Sequence, residues 1–146
     1  MKAITSTWFE CIVTYDKVTE EGTTKRVSEV YSVDALTFTE AESVITEEVK
    51  NYIAGEFYIK NINPAPYKEI FFSDNVKDDR WFKVKVAFIT YDERTSREKL
   101  SNILYLVQGD KAETANTYIN EMLGNGMQDY RIVSNAETRI MDVFQH

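Results

Sequence analysis

The residues that could do chemistry in this chain are few. The only histidine is His146, the last residue, and the only cysteine is Cys11. A histidine-based nucleophilic pair would therefore depend on a segment expected to fray, and one Cys with one His cannot assemble a zinc site of soft ligands. Cys11 falls on the inward side of an alternating strand, where a thiol behaves as a small hydrophobe; reactivity would need exposure and an electropositive setting. Carboxylate doublets remain at Glu20 and Glu21, Asp78 and Asp79, and Asp92 and Glu93. All lie in polar loops or joints, where acids are ordinarily solvated, so a general acid/base or Mg²⁺ reading rests on Asp78 and Asp79 and ranks third. No GxxxxGK[ST] or GxGxxG string is present, and Gly124-Asn125-Gly126 reads as a helix exit. The expectation is no catalytic residue, no metal and no cofactor.

One row of residues suggests binding. Trp81, Lys83, Lys85 and Tyr91 share the outward face of one strand, with Arg80, Arg94 and Arg97 near its ends. Aromatics interleaved with cations hold single-stranded nucleic acid or a nucleotide base by stacking and phosphate contact. The formal charge of −7 opposes approach to a polyanion. Residues 1–73 hold 12 acids and 7 bases, and residues 74–146 hold 12 acids and 10 bases, so the second half is the better placed for phosphate. Glu10 stands in the first half where Lys83 stands in the second.

That comparison is possible because the chain repeats. Trp8 to Tyr15 (WFECIVTY) is echoed by Trp81 to Phe88 (WFKVKVAF), 73 positions later. In the first copy Phe9, Cys11, Val13 and Tyr15 alternate with Trp8, Glu10, Ile12 and Thr14, which is strand periodicity. A polar loop over 16–24 precedes a second strand over 26–33. Phe38, Ala41, Val44, Ile45, Val49, Tyr52 and Ile53 then fall at helical spacing. Thr37 with Glu40, or Thr39 with Glu42, offers a capping box, and Gly55 stands where a left-handed C-cap would be needed. Strands over 56–62 and 67–72 follow, separated by Pro64-Ala65-Pro66, which belongs in a turn or at an edge. The second copy repeats the order: Phe82, Val84, Val86 and Phe88 inward, a hairpin loop over 92–97, a strand over 100–107, a helix capped by Asp110 and Glu113 that ends at Gly124, and strands over 130–133 and 138–144. Tyr31 aligns with Tyr105, Ile45 with Ile119, and Phe71 with Phe144.

The predicted fold is therefore α+β. Tandem duplicated ββαββ units, repeat one over 8–72 and repeat two over 81–144 with a linker over 73–80, build antiparallel sheet with two helices packed on one side. A repeat of about 70 residues is marginal alone, so residues 1–146 should form a single domain. Trp8, Ile12, Val30, Trp81, Ile89, Ile103 and Tyr105 are placed away from the helices, too much apolar surface to leave in water. Either two sheets pack together or this face makes an oligomer, with Trp8, Trp81, Tyr105 and Ile103 as interface candidates. With no apolar leader and no run of roughly 18 apolar residues, a cytoplasmic location without membrane contact is expected.

The strings WFECIVTYDK, VSEVYSVDALTFTEAESVITEE, YKEIFF, DRWFKVKVAFITYDE and ETRIMDVF resemble the Bacteroidetes family designated domain of unknown function 4494, across essentially the whole chain. The resemblance implies a bacterial cytoplasmic protein, with similar sequences in phages and mobile elements, and it carries over no catalytic residue. Pro64-Ala65-Pro66 departs from relatives that are basic there, which weakens phosphate binding by that loop. The leading expectation is a non-enzymatic binding or assembly protein, self-associating as a homo-oligomer. The alternative is a nucleotide or single-stranded nucleic-acid module, phage- or mobile-element-associated, using Trp81, Lys83, Lys85, Tyr91 and Arg94.

Overall fold

The computed structural model describes residues 1–146. The elements run β1 (Lys2–Thr5), β2 (Trp8–Val18), β3 (Thr24–Asp34), α1 (Phe38–Val49), β4 (Phe57–Pro64), β5 (Glu69–Phe72), β6 (Arg80–Asp92), β7 (Arg97–Gly109), α2 (Ala112–Leu123), β8 (Asp129–Glu137) and β9 (Ile140–Phe144). The fold is α+β, with sheet orders β4-β2-β3-β9 and β1-β5-β7-β6-β8. Both sheets are mixed, because β9 runs parallel to β3 and β5 runs parallel to β7.

The chain divides into two compact units. One comprises Ser6–Ala65 with Arg139–His146, and the other comprises Met1–Thr5 with Pro66–Thr138. The strand expected to close each repeat thus lies in the sheet of the other: β5 follows β4 in sequence yet pairs with β7, and β9 follows β8 yet pairs with β3. β1, where no strand was expected, pairs with β5.

In the first unit Phe9, Cys11 and Val13 of β2 and Tyr31 and Val33 of β3 pack with Ala41, Ile45 and Val49 of α1. In the second, Phe82, Val84 and Val86 of β6, Tyr105 and Val107 of β7 and Phe71 of β5 pack with Ala115 and Ile119 of α2. The alternation in β2 and β6 delivers one apolar face to a helix, as period-2 side-chain geometry requires.

Helix ends depart in detail from expectation. Thr37 is the N-cap of α1, its hydroxyl accepting the Glu40 N–H at 3.1 Å, while the Glu40 carboxylate accepts the Leu36 N–H at 3.1 Å. The N-cap of α2 is Lys111, without a side-chain cap, and Asp110 instead accepts the Thr114 hydroxyl. α1 ends at Val49, so Gly55, with φ of 99°, serves the loop beyond it. Gly124 caps α2 in the right-handed region.

The strand face of β7 is also corrected. Tyr105 stands opposite Val84 and Ile103 opposite Val86, so both lie on the helix-covered face. The run Ile103-Leu104-Tyr105-Leu106-Val107 is continuously apolar, which leaves the face of each residue open to either reading until pairing sets it.

Candidate functional site

Three of the residues expected at an interface are buried within the chain itself: Trp8 is 1% exposed, Trp81 3% and Tyr105 5%. They are unavailable as anchors for a second molecule, because an interface is built from accessible surface. Trp81 meets Phe72 edge-on at 5.6 Å, and Tyr105 stacks on Phe71 at 5.1 Å. Ile103 keeps 45% of its surface exposed.

The cation and aromatic row is not gathered into a site. Lys83 is half-buried with its ammonium 5.8 Å from the Tyr67 ring, whereas Lys85 is exposed. Tyr91 and Arg94 sit at the far end of the β6–β7 hairpin, with Tyr91 about 26 Å along the strand from Lys83 at ~3.3 Å per residue. Burial withdraws the Trp81 ring from stacking with a base.

The carboxylate doublet at the joint is split. Asp78 is buried and accepts the hydroxyls of Ser73 and Tyr118, the latter at 2.5 Å, whereas Asp79 is exposed. The hydrogen bond to Asp78 raises the Tyr118 phenol above its ordinary value. This cluster fastens the 73–80 segment to α2. Glu20, Glu21 and Glu93 are exposed in turns, and Asp92 accepts the Arg94 N–H at 2.9 Å. No three of the His, Cys, Asp and Glu side chains gather as a metal ion would need.

What the fold does build is a pair of grooves in matching positions, one in each unit, where the short parallel strand ends and leaves the hairpin strand unpaired. In the second unit Glu69 of β5 faces Tyr105 of β7, and a groove of about 420 Å³ is lined by Thr5, Pro66, Lys68, Glu69, Asn102, Ile103, Leu104 and Tyr105. Burial raises the Glu69 carboxyl; burial and the Glu69 charge raise the Tyr105 phenol. In the first unit Asp142 of β9 faces Tyr31 of β3, and a groove of about 270 Å³ is lined by Glu29, Tyr31, Tyr52, Met141, Asp142 and Phe144. Tyr31 stacks on Phe144 at 5.3 Å and donates to Glu29 at 3.2 Å. Burial, reinforced by Glu29, pushes the Tyr31 phenol well above its usual range.

Glu69, Glu29 and Asp142 were not singled out in the sequence, and Tyr52 was read only as part of a helical stripe although α1 ends before it; a signal for two of the acids was present. The same 73-residue displacement that matches Phe71 to Phe144 matches Glu69 to Asp142. No helix is long and apolar enough to cross a membrane. Comparison with known proteins finds no matching curated protein and no matching solved structure. A family model does match, over residues 7–146, and the chain belongs to that family, described as Domain of unknown function (DUF4494).

Proposed function

We propose that this chain is a non-enzymatic binding protein that assembles with a second copy of itself, edge to edge along β7. The observation that carries the reading is the free edge of β7. Residues 97–104 pair with β6 in unbroken register, but β5 pairs only from Tyr105 onward, so their other edge has no partner strand.

Long, flat, apolar edges are templates for pairing, and proteins usually protect them. The remaining edges here are protected or short. β4 and β8 carry register shifts against their neighbours and β4 ends in Pro64; β1 has four residues and β9 five. The unpaired part of β3, residues 24–29, carries no exposed large apolar side chain. By contrast β7 offers Leu100, 44% exposed, on one face and Ile103 on the other.

An antiparallel two-fold pairing that sets Leu100 against its own copy places Lys99 opposite Ser101, Glu98 opposite Asn102 and Arg97 opposite Ile103. No like charges stand directly opposite, and the contact is isologous and closed. It also brings Arg97 of the second copy toward Glu69, whose half-buried carboxyl gains a cation.

Native mass spectrometry with light scattering tests this reading. The expected result is a dimer of the 17.0 kDa chain that becomes monomeric on joint Leu100→Lys and Ile103→Lys substitution, with the circular dichroism spectrum retained. A wild-type monomer at the highest soluble concentration, or a dimer indifferent to the substitutions, refutes it. A nucleotide or single-stranded nucleic-acid role on Lys83, Lys85, Tyr91 and Arg94 is the lesser reading, because the exposed Tyr91 ring stands at the far end of the hairpin from Lys83 and Lys85 and the Trp81 ring is buried.

A further inference from the structure

The two matching grooves differ in what lines them, and the difference points to a second binding activity, separate from self-association. At the position two residues before the stacked tyrosine, the groove of the second unit has Ile103 and that of the first has Glu29. On the parallel strand, Lys68 stands next to Glu69 in the second unit, whereas Met141 stands next to Asp142 in the first. The groove of the first unit therefore holds two carboxylates and no basic residue among its lining.

Its aromatic rings are also arranged in a particular way. Tyr31 and Phe144 lie 5.3 Å apart with planes 17° from parallel, and Phe144 and Tyr52 lie 6.1 Å apart at 16°. Both tyrosine rings thus stand nearly parallel to Phe144, and Tyr52 is 66% exposed. Met141, also exposed, adds a soft apolar wall. Glu29 accepts the Tyr31 phenol at 3.2 Å, which holds its carboxylate in place, and Asp142 accepts the Val143 N–H at 2.8 Å.

We propose that the groove between β3, β9 and the segment after α1 binds an arginine side chain of a protein partner. The guanidinium would sit in the groove beside the exposed Tyr52 ring, with its donors toward Glu29 and Asp142, which line the same groove. Arginine fits better than lysine on two counts. A planar guanidinium stacks on an aromatic face, and its fork of donors addresses two acceptors, whereas an ammonium is a compact point charge. The aliphatic stem has Met141 and the ring edges to lie against. The chain's formal charge of −7 draws a basic partner.

The test is an NMR titration of the full chain with N-acetyl-arginine amide, beside N-acetyl-lysine amide and the neutral, nearly isosteric N-acetyl-citrulline amide. Saturable shifts confined to Glu29, Tyr52, Asp142 and Phe144 are expected with the arginine probe. Binding by citrulline should be weaker by roughly tenfold or more, as the loss of a charge-assisted hydrogen bond implies. Tyr52→Leu and Asp142→Asn should each weaken arginine binding several-fold while leaving the fold intact, since both side chains are exposed. The monomeric Leu100→Lys, Ile103→Lys protein should bind the probe like wild type, which separates this site from the dimer. Equal shifts from citrulline, equal or tighter binding of lysine, shifts centred on Ile103 instead, or indifference to both substitutions would overturn the proposal.

Discussion

Cys11 is fully buried in β2, and burial, with a smaller contribution from Glu10, lifts its thiol to about 12. Almost no thiolate forms at pH 8, and reactivity follows the thiolate. Iodoacetamide labelling of the native protein at pH 8 should therefore be slow and should accelerate in urea in step with unfolding; rapid labelling without denaturant would contradict the placement. The thiol has the linkage sign of any group whose pKa is raised on folding. Its contribution to stability is present below pH 9 and is lost as pH rises toward 12, because the unfolded chain ionises first. Asp78 is buried as well. Its acidic neighbour suggested a paired function, yet Asp78 closes a turn through its N–H to the Asn75 carbonyl and points inward to Ser73 and Tyr118, while Asp79 meets solvent.

Among the elements, β9 is held by more than its ladder. His146 follows its last residues, and the imidazole Nδ1 lies 2.7 Å from an Asp34 oxygen while Nε2 lies 3.0 Å from Glu40. The His146 N–H also donates to Asp34 at 2.9 Å. The segment expected to fray is thus tethered to β3 and to the first turn of α1. The hydrogen bond to Asp34 is the main cause that raises His146 above 6.5, against a smaller opposing effect of desolvation. The tether is accordingly complete below pH 6.5 and weakens as pH rises through the raised value. Titration of the imidazole by NMR should give a pKa above 6.5 that falls toward it in Glu40→Gln. Amide exchange in β9, corrected for intrinsic rates, should show a matching pH step that disappears in His146→Gln. The effect is small, because the imidazole is substantially exposed.

At the scale of the molecule, neither of the expected repeats, 8–72 and 81–144, coincides with a compact unit. Phe71, at the end of the first repeat, is buried in the core beneath α2, and Phe144, at the end of the second, is buried beneath α1. A chain ending at residue 79 would carry β5 without β7 and would lack β9, so it should give no cooperative unfolding transition by circular dichroism. A folded two-state fragment would show that the exchange of closing strands is dispensable. In the full chain, Phe71→Ala should cost ~3–5 kcal/mol and raise amide exchange in β6 and β7 rather than in β2 and β3.

The sequence by itself determined the α+β class, the presence of both helices and the Thr37 cap of the first, and the inward residues of β2 and β6, because side-chain periodicity is a local property of the chain; it missed β1 and carried α1 past its end at Val49. Even the chemically notable alignments, Tyr31 with Tyr105 and Phe71 with Phe144, were legible in it. The tertiary structure alone decided which strand each closing strand joins, which face Tyr105 and Ile103 take, and that Trp8 and Trp81 are buried. Periodicity states that a segment is a strand but carries no information on its partner, and a continuously apolar run such as 103–107 leaves its parity undefined until a ladder forms. The two grooves belong to the same class of property. They exist only because β5 and β9 end partway along the hairpin strands they join, which places Glu69 against Tyr105 and brings Asp142, near the end of the sequence, against Tyr31.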